Sequence, residues 1–193
     1  MPAETPFNPI AEAIADAEGV PEVFSQAFRA PHDDKQPRDL VIICYSGDLE
    51  KTWASLILAT TAAASGVPTK MFLTFWGLQT FVKDEVRITG QGWMQKMLSM
   101  MQRPGISHRK LSKMNFMGMG PWMMGTLAKQ YGVAKPKELL EAALALGVEF
   151  MPCQMTMDMF GLKREDMIDG MGEPVGAATV IELLANGAAP LFI

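Results

Sequence analysis

The sequence contains little cysteine and little histidine, and it has no run of basic residues. Two cysteines in 193 residues cannot build the disulfide framework of a small secreted protein, so we expect a reduced, cytoplasmic setting. The two histidines, His32 and His108, lack the spacing to a cysteine or to each other that zinc sites have. We therefore expect no metal and no cofactor. With a formal net charge of −4 and no lysine or arginine tract, the chain is not expected to bind nucleic acid.

Long hydrophobic runs are also missing. The longest uncharged stretch, TWASLILATTAAASGVPT, lies between Lys51 and Lys70, and its Thr, Ser, Gly and Pro residues divide it into a helix and a turn. The opening residues, MPAETPFNPIAEAIADAEG, are acidic and lack the apolar core of a secretory signal. The sequence therefore predicts neither a membrane span nor a signal peptide.

What the chain does contain is an alternation of short apolar runs and helical segments. The runs DLVIICYSGD, TKMFLTFWG and VEFMPC are typical of strands that are buried on both faces of a sheet. A helix is predicted over Asp48–Ser65. Another covers KPKELLEAALALG, in which Leu139, Ala143 and Leu146 share one face. A strand–helix–strand order with crossovers of this length predicts parallel strands.

The remaining segments complete an α/β domain. Further elements are predicted as a helix at Gln154–Phe160, a short helix at KREDMI, a small strand near Ile168–Met171, a helix at Gly176–Asn186 and a closing strand, PLFI. The predicted fold class is therefore α/β. We expect a three-layer α/β/α sandwich with a mostly parallel sheet of about five strands, flavodoxin-like in general layout.

Residues 1–37 stand apart from this alternation. Short helices are predicted at Ile10–Glu18 and Pro21–Phe28, and the polar stretch APHDDKQP follows them. We interpret residues 1–37 as an N-terminal helical arm and residues 38–193 as the α/β domain.

A methionine-rich insertion is predicted within that domain at residues 78–135. Nine of the 17 methionines fall between Met94 and Met124, with helical pieces predicted around Gln91–Met101 and Pro121–Tyr131. Thioether groups can bind copper(I), and methionines also pack in protein cores. We favour a third interpretation, in which the insertion forms a homo-oligomer or partner interface that covers the active edge.

Candidate binding residues follow the first predicted strand. Function in a parallel α/β fold gathers at the carboxyl ends of the strands, and the loop CYSGDLEK lies there. The turn Ser46-Gly47-Asp48 opens a helix whose backbone amides could hold an anion. The alternative is that Ser46 or Asp48 simply caps the helix, because a single glycine is not a phosphate-binding fingerprint.

The candidate reactive residue, Cys153, follows the third predicted strand. It directly precedes the helix predicted to begin at Gln154, and the positive end of a helix favours the thiolate form of a cysteine. This placement suits a nucleophilic or sulfur-accepting cysteine, whereas a small, buried and inert cysteine is the alternative. A Cys–His hydrolase would require folding to bring His108 to Cys153.

The other cysteine, Cys44, lies inside the apolar run VIICY. A buried strand cysteine is the favoured interpretation. We expect its strand to neighbour that of Cys153, near the same sheet edge, which leaves a resolving role for Cys44 as the secondary hypothesis.

Two stretches of this sequence resemble the DsrE/DsrF-like sulfur-carrier family, and in particular its DsrE-type peroxiredoxin-like branch. They are YSGDLEKTWASLILATTAAASGVPTKMFLTFWGL and CQMTMDMFGLKREDMIDG, and the similarity extends from about Leu40 through Ile193. The resemblance implies a parallel α/β sandwich, homo-oligomers and a cysteine that carries sulfur as a persulfide or thiosulfonate. Within the matching motif CQMTMD, that cysteine is Cys153.

Some members of this branch have membrane helices between the second and third strands. We predict a form without them, because the corresponding stretch of this chain contains cationic residues, among them Lys96, Arg103, Arg109, Lys110 and Lys113. The name of the branch also suggests peroxidase chemistry. The sequence gives that little support, since it has no Pro-x-x-x-Thr-x-x-Cys peroxidatic motif.

The resemblance implies an intracellular sulfur-trafficking protein, a sulfur carrier or sulfurtransferase. Cys153 would accept sulfane sulfur from a donor such as a rhodanese-like protein and pass it to an acceptor such as a TusA-like carrier. The residues predicted to bind the substrate or its anion are Ser46, Gly47, Asp48, Trp76 and Gln154. Two alternatives are a non-catalytic module that binds a small anion or nucleotide, and a thiol peroxidase.

Overall fold

The structure, a computed structural model, describes residues 39–86, 103–113 and 118–193. In these ranges the sheet has four strands, all parallel, in the order β3-β2-β1-β4. The strands are β1 (Leu40–Cys44), β2 (Thr69–Leu73), β3 (Glu149–Pro152) and β4 (Ala189–Phe192). The predicted α/β class and parallel sheet are therefore confirmed.

Helices cover both faces of this sheet. Their bounds are α1 (Leu49–Ala64), α2 (Phe75–Thr80), α3 (Met119–Gln130), α4 (Pro136–Ala145), α5 (Gln154–Phe160) and α6 (Ala177–Ala185), with 3-10 turns at Ile106–His108 and Arg164–Asp166. Parallel crossovers are right-handed. With this strand order, α1 and α4 therefore cover one face and α6 covers the other.

The core lies between the central strands and the helices. β1 can be apolar throughout because it is paired on both sides and covered on both faces, and its Val41 and Ile42 are fully buried. On one face of the sheet, α1 packs against α4. There the indole Nε1 of Trp53 donates a hydrogen bond to the carbonyl of Ala134 at 2.8 Å, just before α4 begins.

The prediction of a fifth strand near Ile168–Met171 is wrong. The chain turns at this point, and residues 172–175 then run beside β3 without forming a strand. Gly172 N–H donates to the Phe150 carbonyl at 2.8 Å and Val175 N–H to the Pro152 carbonyl at 2.8 Å. Pro174 lies between them and has no N–H to donate, so the pairing is reduced to one bridge between Val175 and Cys153.

Two other predicted boundaries also differ. The second strand ends at Leu73 instead of continuing through TFWG, because Phe75 takes a left-handed conformation (φ 46°) and begins α2. In α4, Leu140 and Ala143 form the buried face, while Leu146 follows the last turn and is exposed. The predicted face is therefore wrong at Leu146 only, because the helix ends before that residue, whereas Ala143 is buried and Leu139 packs against the core.

Several predicted segments lie outside the described residues. These are the arm at residues 1–37, with its two short helices, and the helical piece at Gln91–Met101. Helix α3 confirms the helical piece predicted at Pro121–Tyr131, with small shifts at its ends. None of the helices in the described ranges combines the length and apolar character that crossing a bilayer requires.

Candidate functional site

The carboxyl ends of three strands are level with one another. Cys44 of β1 pairs with Leu73 of β2, which in turn pairs with Pro152 of β3. The loops that follow are joined by backbone hydrogen bonds: Thr74 N–H donates to the Cys44 carbonyl at 3.0 Å, and Cys153 N–H to the Leu73 carbonyl at 2.9 Å. The fold therefore brings the predicted site loops to one edge of the sheet.

Cys153 occupies the N-cap position of α5, as the sequence predicts. Its carbonyl accepts the first helical hydrogen bond, from Met157 N–H at 3.0 Å. The helix has seven residues and therefore only a small dipole. The Cys153 side chain is 3% exposed, with Val175 beside it. A reaction at its sulfur atom consequently requires a small local opening, whereas the neighbouring Gln154 is exposed already.

Cys44 has a different environment. It is 4% exposed, and burial raises the pKa of its thiol to about 12, against a smaller opposing effect of a hydrogen bond with Ser55. The thiol is therefore protonated at neutral pH and is a poor nucleophile. The expectation that its strand neighbours that of Cys153 is wrong, because β2 lies between them. Two strand spacings amount to about 10 Å, more than a disulfide can span without backbone movement.

The loop after β1 holds a small polar network. Ser46 Oγ donates to Asp48 Oδ2 at 3.0 Å, and Lys51 Nζ pairs with the same oxygen at 3.1 Å. Asp48 occupies the N-cap position of α1, but its carboxylate makes no capping hydrogen bond to the helix. The first helical N–H, that of Leu49, donates instead to the carbonyl of Lys110 at 2.9 Å. The side-chain capping that we considered for Ser46 or Asp48 is thus not formed.

A cavity of about 810 Å³ opens at this loop, and we call it the cationic cavity. Four of the five predicted binding residues line it, whereas Gln154 and the reactive candidate Cys153 do not. Gln154 instead donates from its side-chain amide to Asp158 at 2.7 Å. Among the described residues, the lining consists of Tyr45, Ser46, Gly47, Asp48, Lys51, Trp76, Arg103, His108, Arg109, Lys110, Leu111 and Ser112.

The far wall of the cationic cavity comes from residues 103–113, which sequence reasoning did not assign to the site. Asp84 holds this segment by accepting hydrogen bonds from Ser107 N–H at 3.3 Å and Ser107 Oγ at 2.6 Å. Gly105 N–H donates to the Gln79 carbonyl at 2.8 Å. The sequence feature that could have identified this wall is the run RPGISHRK, which contains four cationic or titratable side chains.

His108 belongs to this wall and not to a Cys–His pair. Its Nδ1 lies 3.1 Å from the Pro104 carbonyl and 3.6 Å from Asp84 Oδ1. No hydrogen bond joins His108 to Cys153, and the parts of the chain that the structure describes contain no cluster of three or more potential metal ligands. The hydrolase arrangement is therefore not formed.

Helix α2 contacts both the cationic cavity and the helix that follows Cys153. Trp76 lines the cavity on one side, and its ring lies 5.6 Å from that of Phe160, at the end of α5. Behind it, the hydroxyl of Thr156 lies 3.1 Å from that of Thr74 and accepts a hydrogen bond from Phe75 N–H at 3.2 Å. These contacts stabilise the left-handed Phe75 and connect the cavity wall to the helix that begins after Cys153.

The geometry defines a class of protein: a parallel α/β domain with a cysteine and a cationic cavity at the carboxyl edge of its sheet. The DsrE/DsrF/DrsH-like family model matches residues 36–192, and the chain belongs to this family. The resemblance inferred from the two sequence stretches is thereby confirmed.

Two relatives support this membership. The chain is 35% identical over 159 residues to the uncharacterized protein YrkE of Bacillus subtilis (strain 168), covering 82% of this chain and 99% of that protein. It is 34% identical over 161 residues to the sulfur carrier protein DsrE2 of Allochromatium vinosum, again covering 82% of this chain and 99% of the relative.

Solved structures give more distant matches. The protein MTH1491 of Methanobacterium thermoautotrophicum, a protein of unknown function, aligns with a TM-score of 0.46 at 11% identity, covering 80% of this chain and 98% of that one. The ychN protein of E. coli aligns with a TM-score of 0.47 at 16% identity, covering 80% and 99%.

Proposed function

We propose that this protein is an intracellular carrier of sulfane sulfur and that Cys153 is the residue that holds the sulfur. The observation that carries the proposal is the position of Cys153, between the end of β3 and the start of α5, in a chain 34% identical to a protein named as a sulfur carrier. Cys44 is the weaker candidate because its thiol is protonated at neutral pH.

The proposed step is a thiol–persulfide exchange. The thiolate of Cys153 attacks the outer sulfur of a donor persulfide, forming a new S–S bond on Cys153 while the S–S bond of the donor breaks. The donor leaves as a thiolate, which takes up a proton, so no external oxidant or reductant is consumed. The reverse reaction delivers the sulfur to an acceptor cysteine. Near burial of Cys153 would protect the persulfide from stray thiols between the two steps.

Donor and acceptor are proposed to be proteins, of the rhodanese-like and TusA-like kinds respectively, and the carrier is proposed to work in the cytoplasm as a homo-oligomer. The helix that follows the buried thiol favours a protein partner, because Met155 and Met159 of α5 are both exposed. Flexible methionine side chains suit docking surfaces that open and close around a partner.

The decisive experiment measures the intact mass of the protein after exposure to polysulfide, tetrathionate or hydrogen peroxide. We expect the wild-type chain to gain sulfur from polysulfide and a thiosulfonate adduct from tetrathionate. Cys153→Ser should abolish both additions, because the remaining thiol, Cys44, is buried in the sheet and protonated at neutral pH. Cys44→Ala is the matched control and should load like the wild type.

Three results would contradict the proposal. Loading that persists in Cys153→Ser but is lost in Cys44→Ala would exchange the roles of the two cysteines. Oxidation by peroxide without any sulfur loading would favour the thiol peroxidase. A chain that gains no mass with any of the reagents would favour the non-catalytic binding module.

A further inference from the structure

We propose that the cationic cavity is a second site, separate from Cys153, that binds a small molecule through a tetrahedral oxyanion group, with Arg109 as the anchor. The group is a phosphate or a sulfur oxyanion, since both present the same charged oxygens to a guanidinium. This proposal does not rest on the sulfur-carrier function, because Cys153 does not line the cavity.

Two of the three nitrogens of the Arg109 guanidinium donate hydrogen bonds within the protein. Its Nε donates to the Gly105 carbonyl at 3.1 Å, and its Nη2 donates to the Arg103 carbonyl. The remaining nitrogen, Nη1, lies against Gly47, and a Cβ added to Gly47 would come within 2.9 Å of it. Nη1 has no hydrogen-bond partner among the described residues, so two fixed nitrogens leave the third available to a ligand.

The charges around the cavity are also unbalanced. Asp48 is the carboxylate in the described lining, and Lys51 already pairs with it, which raises the pKa of that lysine. Arg103, Arg109 and Lys110 also line the cavity, and in the part of the chain that the structure describes none of them has a carboxylate within ion-pair distance. A cluster of cations in a concave site attracts an anion.

Partial burial makes this charge costly unless an anion is present. Arg109 is half-buried, and burial lowers the pKa of its guanidinium, while the more distant charges of Asp84 and Asp48 oppose that effect. A desolvated cation without a charged partner is unfavourable, and a bound oxyanion would supply that partner. The partial burial of Arg109 therefore favours a role in binding an anion over that of an ordinary solvated surface residue.

The size and the walls of the cavity fit a small organic ligand. Its volume of about 810 Å³ falls within the range of about 300–1,000 Å³ typical of small-molecule sites. Tyr45, Ser46 and Trp76 line it, and both aromatic residues are partly exposed. The Tyr45 ring already stacks on Phe192 and contacts Lys51 Nζ, so Trp76 is the more available ring. Aromatic rings beside the anion-binding residues can stack on an apolar or aromatic body attached to the oxyanion.

Isothermal titration calorimetry with inorganic phosphate, thiosulfate and ADP, on protein that carries no added sulfur, tests the proposal. We expect saturable binding of at least one of the three, and the strongest binder identifies the source of the oxyanion. Arg109→Gln should weaken that binding by about tenfold or more, because it removes a charged hydrogen-bond donor. Lys110→Gln, at an exposed lining position, should weaken it to a smaller extent without risk to folding.

Lys113→Gln provides the charge-matched control, because Lys113 is exposed and does not line the cavity. It should bind like the wild type. The proposal is overturned if no anion binds saturably at millimolar concentration, or if both lining variants keep the wild-type affinity. An equal loss in Lys113→Gln would also overturn it, since the effect would then be general surface charge.

Discussion

At the scale of single residues, the thiol of Cys44 should make the stability of the fold depend on pH. Burial raises its pKa from 9.0 to about 12. Below pH 9 the thiol is protonated in both the folded and the unfolded chain, so its contribution to stability is fully present. Above that value the unfolded chain loses the proton while the folded chain keeps it. The free energy of unfolding should then fall by about 1.4 kcal/mol per pH unit as the pH rises towards about 12.

Urea unfolding of the wild type and of Cys44→Ala, each at about pH 8 and about pH 10, isolates this effect from other titrating groups. We expect the wild type to lose about 1 kcal/mol more than the variant between the two conditions. Equal losses in the two proteins would mean that the Cys44 thiol ionises as easily in the folded state as in the unfolded chain.

At the scale of secondary-structure elements, Gly77 determines how closely α2 approaches the end of β1. Its N–H donates to the Tyr45 carbonyl at 3.0 Å, and a Cβ at this position would lie 2.2 Å from the carbonyl oxygen of Cys44. Backbone cannot yield as a side chain can, so Gly77→Ala must displace α2. We expect it to lower the free energy of unfolding by about 2–3 kcal/mol and to disturb the cavity wall at Trp76.

Gly125→Ala is the matched control, because Gly125 lies in the middle of α3 and has open space where a Cβ would be placed. Alanine should stabilise that helix by about 0.5–1 kcal/mol. Chemical denaturation of both variants gives the comparison. A Gly77→Ala protein as stable as the wild type would show that α2 does not pack tightly against β1.

At the scale of the whole molecule, the exposed apolar side chains of α3 indicate where subunits could associate. Of its twelve residues only Gly120 and Ala128 are buried. Trp122 is 70% exposed, and Met119, Met123 and Leu127 are also exposed. The wider methionine surface that we predicted as a subunit interface also includes Met97 and Met101, which lie outside the described residues. So much exposed apolar surface on one helix favours a protein–protein contact.

We therefore expect Trp122→Gln to reduce the mass measured by light scattering, with an unchanged circular dichroism spectrum. Ile181→Gln serves as the control, since Ile181 is 64% exposed on α6, away from this helix in the chain. It should leave the mass unchanged. A wild-type protein that is already monomeric, or a Trp122→Gln variant of unchanged mass, would show that α3 is not the interface.

The sequence predicted more of the fold than of the site. Strands β1, β2 and β3 were recognised from continuous apolar runs, and the bounds of α5 agree with the prediction, because burial and helix boundaries leave local patterns. Four predicted binding residues do line one cavity. The segment carrying Arg109 was missed because its cations resemble an ordinary solvated surface until the fold places them opposite Gly47.

By itself, then, the sequence determined the α/β class, the family and the position of Cys153 before a helix. Each of these follows from neighbouring residues or from a short motif. Only the tertiary structure decided that β2 separates Cys44 from Cys153, and that residues 103–113 enclose a cavity from which Cys153 is excluded. The reason is physical: strand order and cavity walls depend on contacts between distant segments, such as the hydrogen bond from Leu49 to Lys110, and no local pattern encodes them.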